Sequence, residues 1–120
     1  MRPVFLVAVV ALAVGSMACG SYPKPEARVT SSEAAIRGAT EAGAPGVPEA
    51  TLHLKLAQEE REKAMSAIKD GENEKAEFLL MRSEADAELA NALAREAAAK
   101  ADTKKTAEAV TALKKKAAGQ

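Results

Sequence analysis

The sequence predicts an elongated all-α protein, in which two long helices form an antiparallel hairpin and a shorter helix precedes them. Alanine, the residue with the highest intrinsic helix propensity, is abundant after residue 25. Aromatic residues make up 2% of the chain and tryptophan is absent, which excludes a thick globular core. Breaks rich in proline and glycine, within 19–27, 43–50 and 69–73, separate three segments with helical periodicity.

The first predicted helix extends from about Ala27 or Ser31 to Ala42. Ser31 or Ser32 is expected to cap its start, because a serine side chain can accept a hydrogen bond from a free backbone N–H. The apolar positions on one of its sides are Val29, Ile36 and Ala39.

The second predicted helix extends from about Glu49 to Lys69, and the Asp70–Gly71 pair predicts a turn after it. Its apolar positions, at steps of three and four residues, are Leu54, Ala57, Ala64 and Ile68, with Arg61 expected to intrude. The short connection predicts that the second and third helices are antiparallel neighbours.

The third predicted helix starts near Glu72 and carries a heptad seam of mostly small residues. The seam positions are Ala76, Leu80, Ser83, Ala87, Ala90, Ala94, Ala97 and Ala101. Because this helix is longer than its partner, its C-terminal end is expected to lie exposed or to pair with another molecule. The predicted helical domain covers 28–101.

Residues 102–120 are predicted to form a basic, partly frayed helical tail. Its lysines, candidates for contact with an anionic envelope polymer or an acidic partner, are Lys104, Lys105, Lys114, Lys115 and Lys116. The alternative is a soluble helix end, since lysines also suit the negative pole of the helix dipole.

Residues 1–18 predict a secretory signal peptide. Arg2 provides a short positive end, an apolar run follows from Pro3 to Gly15, and small residues lead to Ala18. The alternative is a transmembrane anchor, although this run is shorter than the roughly 20 residues that a spanning helix needs.

Cys19 is the only cysteine, and residues 19–27 are predicted to be a lipidated N-terminus followed by a flexible linker. The stretch from Ser16 to Cys19 resembles the lipobox of bacterial lipoproteins, in which the thiol receives a diacylglyceryl group and the chain is cut before the cysteine. Ser16 departs from that pattern, which prefers leucine. Ordinary cleavage near Ala18, which would leave an unmodified thiol, is the alternative.

The sequence contains no recognisable pattern of catalytic or metal-ligating residues, so neither an enzyme nor a cofactor is predicted. His53 is the only histidine and is expected to be exposed or at the seam edge. Glu59, Glu60 and Glu62 are expected to lie on a solvated face. Without residues 1–18 the chain has 16 basic and 17 acidic side chains, and this balance argues against nucleic acid as a partner.

The stretches SSEAAIRGATEAGAPGVPEA and EADAELANALA, with the Asp70–Gly71 turn between them, resemble the domain of unknown function 4398 family. Ala35–Ile36 ahead of Gly43–Ala44, and Pro48–Glu49 opening the next helix, carry the match over about 28–100. The resemblance implies a bacterial envelope protein, often a lipoprotein, and no activity.

The expected function is that of a non-enzymatic, lipid-anchored envelope protein that acts as a helical spacer or protein-interaction module. Its expected partners are the membrane, through fatty chains such as palmitate, an envelope or peptidoglycan-associated protein, and a second copy of itself. The alternative is a regulatory binding subunit of an envelope enzyme or transporter. Gly20 stands where an aspartate marks inner-membrane retention, and this favours the outer membrane, facing the periplasm, by resemblance.

Overall fold

The computed structural model describes residues 21–119, and the predicted signal peptide and Cys19 lie outside that range. Its three α-helices are α1 (Glu26–Glu41), α2 (Pro48–Lys69) and α3 (Asn73–Ala118), and a short 3₁₀ helix, Ala44–Gly46, joins α1 to α2. Within residues 21–119 there is no β-strand. The prediction of an elongated all-α protein is confirmed.

Helix α1 begins directly after a proline and not at a serine cap. Pro25 has a φ of −82°, and its carbonyl oxygen accepts a hydrogen bond from the Val29 N–H at 3.0 Å. The backbone is therefore already set for a helix at Glu26. Ser32 lies buried inside the helix, where its hydroxyl donates to the Val29 carbonyl oxygen. The prediction that a serine caps this helix is wrong.

A glycine with positive φ terminates helix α2 at the predicted turn. Gly71 has a φ of +79°, which a residue with a Cβ adopts only with strain. Its N–H donates to the carbonyl oxygen of Ile68, and the Glu72 N–H donates to that of Ala67. These two bonds form a Schellman motif, which satisfies carbonyls left free at the helix end.

Contacts between α2 and α3 run in opposite directions along the chain. His53 contacts Asp86, and further along α2 the Ala57 carbonyl oxygen accepts a 2.7 Å hydrogen bond from the Ser83 hydroxyl. Partner numbers therefore fall along α3 as they rise along α2, as the short turn requires.

Helix α1 packs beside both longer helices. Arg28 forms an ion pair with Glu84 of α3 at 3.2 Å. Further along, a Cβ built on Gly38 would lie 3.3 Å from the side-chain nitrogen of Asn91, so α1 and α3 run in the same direction. Arg61 of α2 forms an ion pair with Glu33 of α1 at 3.0 Å.

The core is made almost entirely of alanine. One buried cluster consists of Ala39, Ala44, Ala50, Leu54, Ala90 and Ala94, and a second consists of Ala64, Ala67, Ala76 and Leu80. Small side chains allow helix backbones to approach closely, but each one removes little apolar surface from water. The result is a thin bundle.

The predicted seam of α3 is buried only as far as Ala94. Ala97 is half-buried and Ala101 is exposed, so the prediction is wrong at its C-terminal end. The reason is length: α2 has 22 residues and α3 has 46, which corresponds to about 33 Å and 69 Å. Among the elements of residues 21–119, none packs on the second half of α3.

We call residues 98–118, the exposed second half of α3, the overhang. Every residue in it is exposed, and the helix continues through it without a break to Ala118. Residues 102–118 of the predicted tail therefore lie on one helix with the bundle. Its fraying stays a prediction.

Candidate functional site

A polar cluster lies between α2 and α3. Glu60 of α2 accepts an ion-pair contact at 2.6 Å from Arg82 of α3, whose side chain is mostly exposed. His53 and Asp86 are joined by a 2.7 Å contact between Nδ1 and Oδ1. We refer to these four side chains as the polar cluster.

Glu60 is the buried member of the polar cluster, with 5% of its surface exposed. Burial raises the pKa of its carboxyl above the usual value, and the adjacent Asp86 carboxylate raises it further, while the Arg82 guanidinium lowers it. Its Oε2 is buried with no hydrogen-bond donor in contact. A proton on this carboxyl would relieve the repulsion by Asp86.

The structure corrects one interpretation of the acidic residues in α2. Glu59 and Glu62 are exposed as predicted, but the prediction of a solvated face is wrong for Glu60. Glu60 lies three residues after Ala57 and four before Ala64, so it occupies the seam position that was expected to admit Arg61. The spacing alone does not choose between the two residues, because Arg61 lies four residues after Ala57 and three before Ala64.

His53 lies at the seam edge, half-buried, within one of the two interpretations offered for it. Its partnership with Asp86 is not visible in the sequence, because 33 residues separate the two. Within residues 21–119 no group of three or more histidine, cysteine or acidic side chains is placed to hold a metal ion. The polar cluster joins the two helices through hydrogen bonds and ion pairs.

The five candidate lysines lie exposed on the overhang and do not form one patch. Lys104 and Lys115 are three turns apart and line the same shallow groove, and Lys105 and Lys116 share another side by the same spacing. Lys114 points in a further direction. The positive charge is therefore spread over several directions around the helix axis rather than concentrated on one stripe.

Cys19, the predicted lipidation site, lies outside the described residues. The chain enters the described region beside the α2–α3 turn. There the Tyr22 hydroxyl donates to Glu77, and the Asn73 side-chain amide donates to the Tyr22 carbonyl oxygen at 2.7 Å. The hydrogen bond to the carboxylate raises the pKa of Tyr22. Of the helices between residues 21 and 119, none combines the length and the apolar character needed to cross a membrane.

The comparison with protein families gives one match. The family model described as "Domain of unknown function (DUF4398)" matches residues 27–106. The chain belongs to the DUF4398 family. The match covers nearly all of α1, α2 and the part of α3 that packs on them, and it extends into the overhang. A search of curated proteins and a search of solved structures each found no match.

Proposed function

We propose that this DUF4398 protein is a non-enzymatic, lipid-anchored protein of the bacterial cell envelope. It acts as a helical spacer and interaction module, in which α2 and α3 form an antiparallel hairpin stiffened by α1. The observation that carries the proposal is the position of the overhang, which leaves the bundle at the end opposite Tyr22.

The two ends of α3 support a division of roles. Tyr22 contacts Asn73 and Glu77, so the segment that follows Cys19 enters at the N-terminal end of α3. The last turn of α3 lies about 69 Å away along the helix axis. A lipid attached at Cys19 would therefore place the basic overhang far from its own anchoring point.

The character of the bundle is consistent with a binding role. A groove between α1 and α2, whose lining includes Glu33, Ile36 and Arg61, opens to solvent, and the Arg61–Glu33 ion pair crosses it. Enzymes usually place their reacting groups in concave pockets that exclude water. An exposed helix suits contact along its length.

The anchor is tested by mass spectrometry of the mature protein isolated from membranes. We expect an N-terminal Cys19 that carries acyl chains, because two or more chains hold a protein firmly to a bilayer. Cys19→Ala should abolish acylation and leave the precursor uncut at this site, whereas the neighbouring Ser21→Ala should change neither. An unacylated wild-type protein would exclude the lipid anchor.

The interaction role is tested by crosslinking in intact envelopes. A spacer should capture copies of itself or envelope and wall components, and the yield should fall when the chain is truncated after Lys100. The alternative, a regulatory subunit, predicts one defined enzyme or transporter in stoichiometric yield. The latter result would replace the spacer proposal.

A further inference from the structure

Helix α3 carries a second heptad pattern on the face opposite its buried seam. Phe78, Ala85, Ala92 and Ala99 recur every seven residues, and Leu113 lies two heptads after Ala99. Leu89 and Ala117 lie four residues after members of this set, and Val110 lies four residues after Thr106, which occupies the heptad position between Ala99 and Leu113. In a coiled coil an a position follows a d position by four residues. The series that contains Phe78 and Ala85 therefore occupies d positions, and the series that contains Leu89 and Val110 occupies a positions. We call this outer surface of α3 the outer face.

The outer face is uncovered along the whole helix. Its large apolar side chains, between 42% and 66% exposed, are Phe78, Met81, Leu89, Val110 and Leu113. Contacts from α2 and α1 reach α3 through other sides at Ser83 and at Glu84 and Asn91. Arg82, four residues after Phe78, marks the edge of the outer face, where its side chain reaches Glu60 of α2. A row of exposed apolar side chains along one face marks a surface that binds another protein.

We infer that the outer face pairs with the outer face of a second copy of this chain, with the two α3 helices antiparallel. The register that matches a positions to d positions places Ala85 opposite Val110, Leu89 opposite Thr106, and Glu96 opposite Ala99. The bundle-packed half of each α3 then lies along the overhang of the other copy. The pairing is two-fold symmetric and self-complementary.

Charge selects the second copy as the occupant and sets its direction. Residues 73–97 carry six acidic and three basic side chains, whereas 98–118 carry six basic and two acidic. Antiparallel pairing places residues 73–97 of one copy, with a net charge of −3, against residues 98–118 of the other, with a net charge of +4. Parallel pairing in register would place like charges together and bring Glu96 next to its own copy within the seam, which is unfavourable.

The same register brings one specific pair of opposite charges together beside the seam. Arg95 and Asp102 each precede an a position by one residue, and such positions face each other across an antiparallel coiled coil. Arg95 would therefore lie beside Asp102 of the second copy, twice in each dimer. Both side chains are exposed in the single chain.

The pairing would also hold the two N-terminal ends apart. Residues 78 and 117 are 39 residues distant, which is about 58 Å along a helix. In an antiparallel dimer the two Tyr22 ends lie at opposite ends of that length. If Cys19 carries lipid, the two anchors of the dimer are held apart in the same way. Only this statement about the anchors rests on the proposed lipid anchor; the pairing itself does not.

The direction is tested with two variants of the full chain, Ala85→Cys and Val110→Cys, reacted with a short thiol crosslinker. The linked peptides are identified by mass spectrometry, which separates these products from any formed by Cys19. An equimolar mixture should give the 85–110 product, and either variant alone should give little 85–85 or 110–110 product. Dominant 85–85 and 110–110 products would mean parallel pairing and would overturn the inference.

The face is tested by sedimentation of the full chain carrying Val110→Glu, with Ala112→Glu as the matched control on the opposite side of the overhang. We expect Val110→Glu to weaken self-association on the order of tenfold or more, because it buries an unpaired charge in the seam. Ala112→Glu should leave it unchanged, and at low protein concentration, where all three chains are monomeric, both variants should melt like wild type. A chain that is monomeric at high micromolar concentration, or equal effects of both variants, would overturn the inference.

The register is tested by charge exchange. Arg95→Asp should weaken self-association several-fold, and adding Asp102→Arg in the same chain should restore it. A double variant as weak as the single one would overturn this register. Because acylation of Cys19 is measured separately, failure of the pairing and failure of the lipid anchor give different results.

Discussion

The two halves of α3 have nearly the same alanine content and opposite environments. Residues 73–97 contain seven alanines and 98–118 contain eight, in one unbroken helix. In the first half, the seam alanines from Ala76 to Ala94 are buried against α1 and α2; in the second half every side chain is exposed. Helix propensity is thus enough for continuity, whereas burial depends on the length of the neighbouring helices.

Two leucines on α3 provide the strongest test of this difference. Leu80 is fully buried and Leu113 is 66% exposed. Leu80→Ala should lower the free energy of unfolding by about 2–5 kcal/mol, because it leaves a cavity between α2 and α3. Leu113→Ala should stay within about 0.5 kcal/mol in the monomer. Equal losses, measured by denaturant unfolding at low protein concentration, would contradict the contrast.

Enlarging the seam alanines tests how closely the helices approach. Ala87 and Ala90 are fully buried, whereas Ala92, on the outer face, is exposed. Ala87→Leu or Ala90→Leu should cost about 1–3 kcal/mol through overpacking. At low protein concentration, where the chain is monomeric, Ala92→Leu should change stability by no more than about 0.5 kcal/mol, since Ala92 lies on the outer face. Similar melting temperatures for all three variants would show that the seam has room to spare.

A pH titration sharpens the comparison at the buried carboxyl. Because the pKa of Glu60 is raised in the folded protein, folding retains a proton that the unfolded chain has lost. Raising the pH from the usual value of 4.5 through the raised value should therefore lower the wild-type free energy of unfolding relative to Glu60→Gln.

The control for this titration is the exposed neighbour, Glu59→Gln. An equal slope in the comparison of wild type with Glu59→Gln would show that the effect does not depend on the burial of Glu60. A flat difference between wild type and Glu60→Gln would mean that Arg82 fully compensates for the burial of the carboxylate.

The smallest expected effect on stability comes from removing the overhang. Truncation after Lys100 removes side chains that are all exposed in the single chain, so at low protein concentration, where the chain is monomeric, the melting temperature should remain nearly that of the full chain. Salt-sensitive binding to isolated envelope material should be lost with the lysines, since exposed charges are screened over about 8 Å at physiological ionic strength. A truncated chain that fails to fold would show that the overhang is part of the core. A truncated chain that folds and still binds fully would show that the lysines only keep the helix end soluble.

The sequence by itself determined the number of helices, the turn at Gly71 and the buried positions of α3 from Ala76 to Ala94. These features follow from local chemistry: proline and glycine interrupt helices, alanine favours them, and a seam repeats every three or four residues. The family followed from the order of the same features, and its model matches 27–106.

Only the tertiary structure decided which positions on those helices lost contact with water. Glu60 rather than Arg61 entered the interface, because the position of α3 selects which of two adjacent side chains faces inward. The seam stopped before Ala101 because α3 extends past the N-terminal end of α2, although the pattern in α3 continues. Burial of a side chain requires a neighbouring helix at that position, and the periodicity of one helix carries no information about the length of its neighbour.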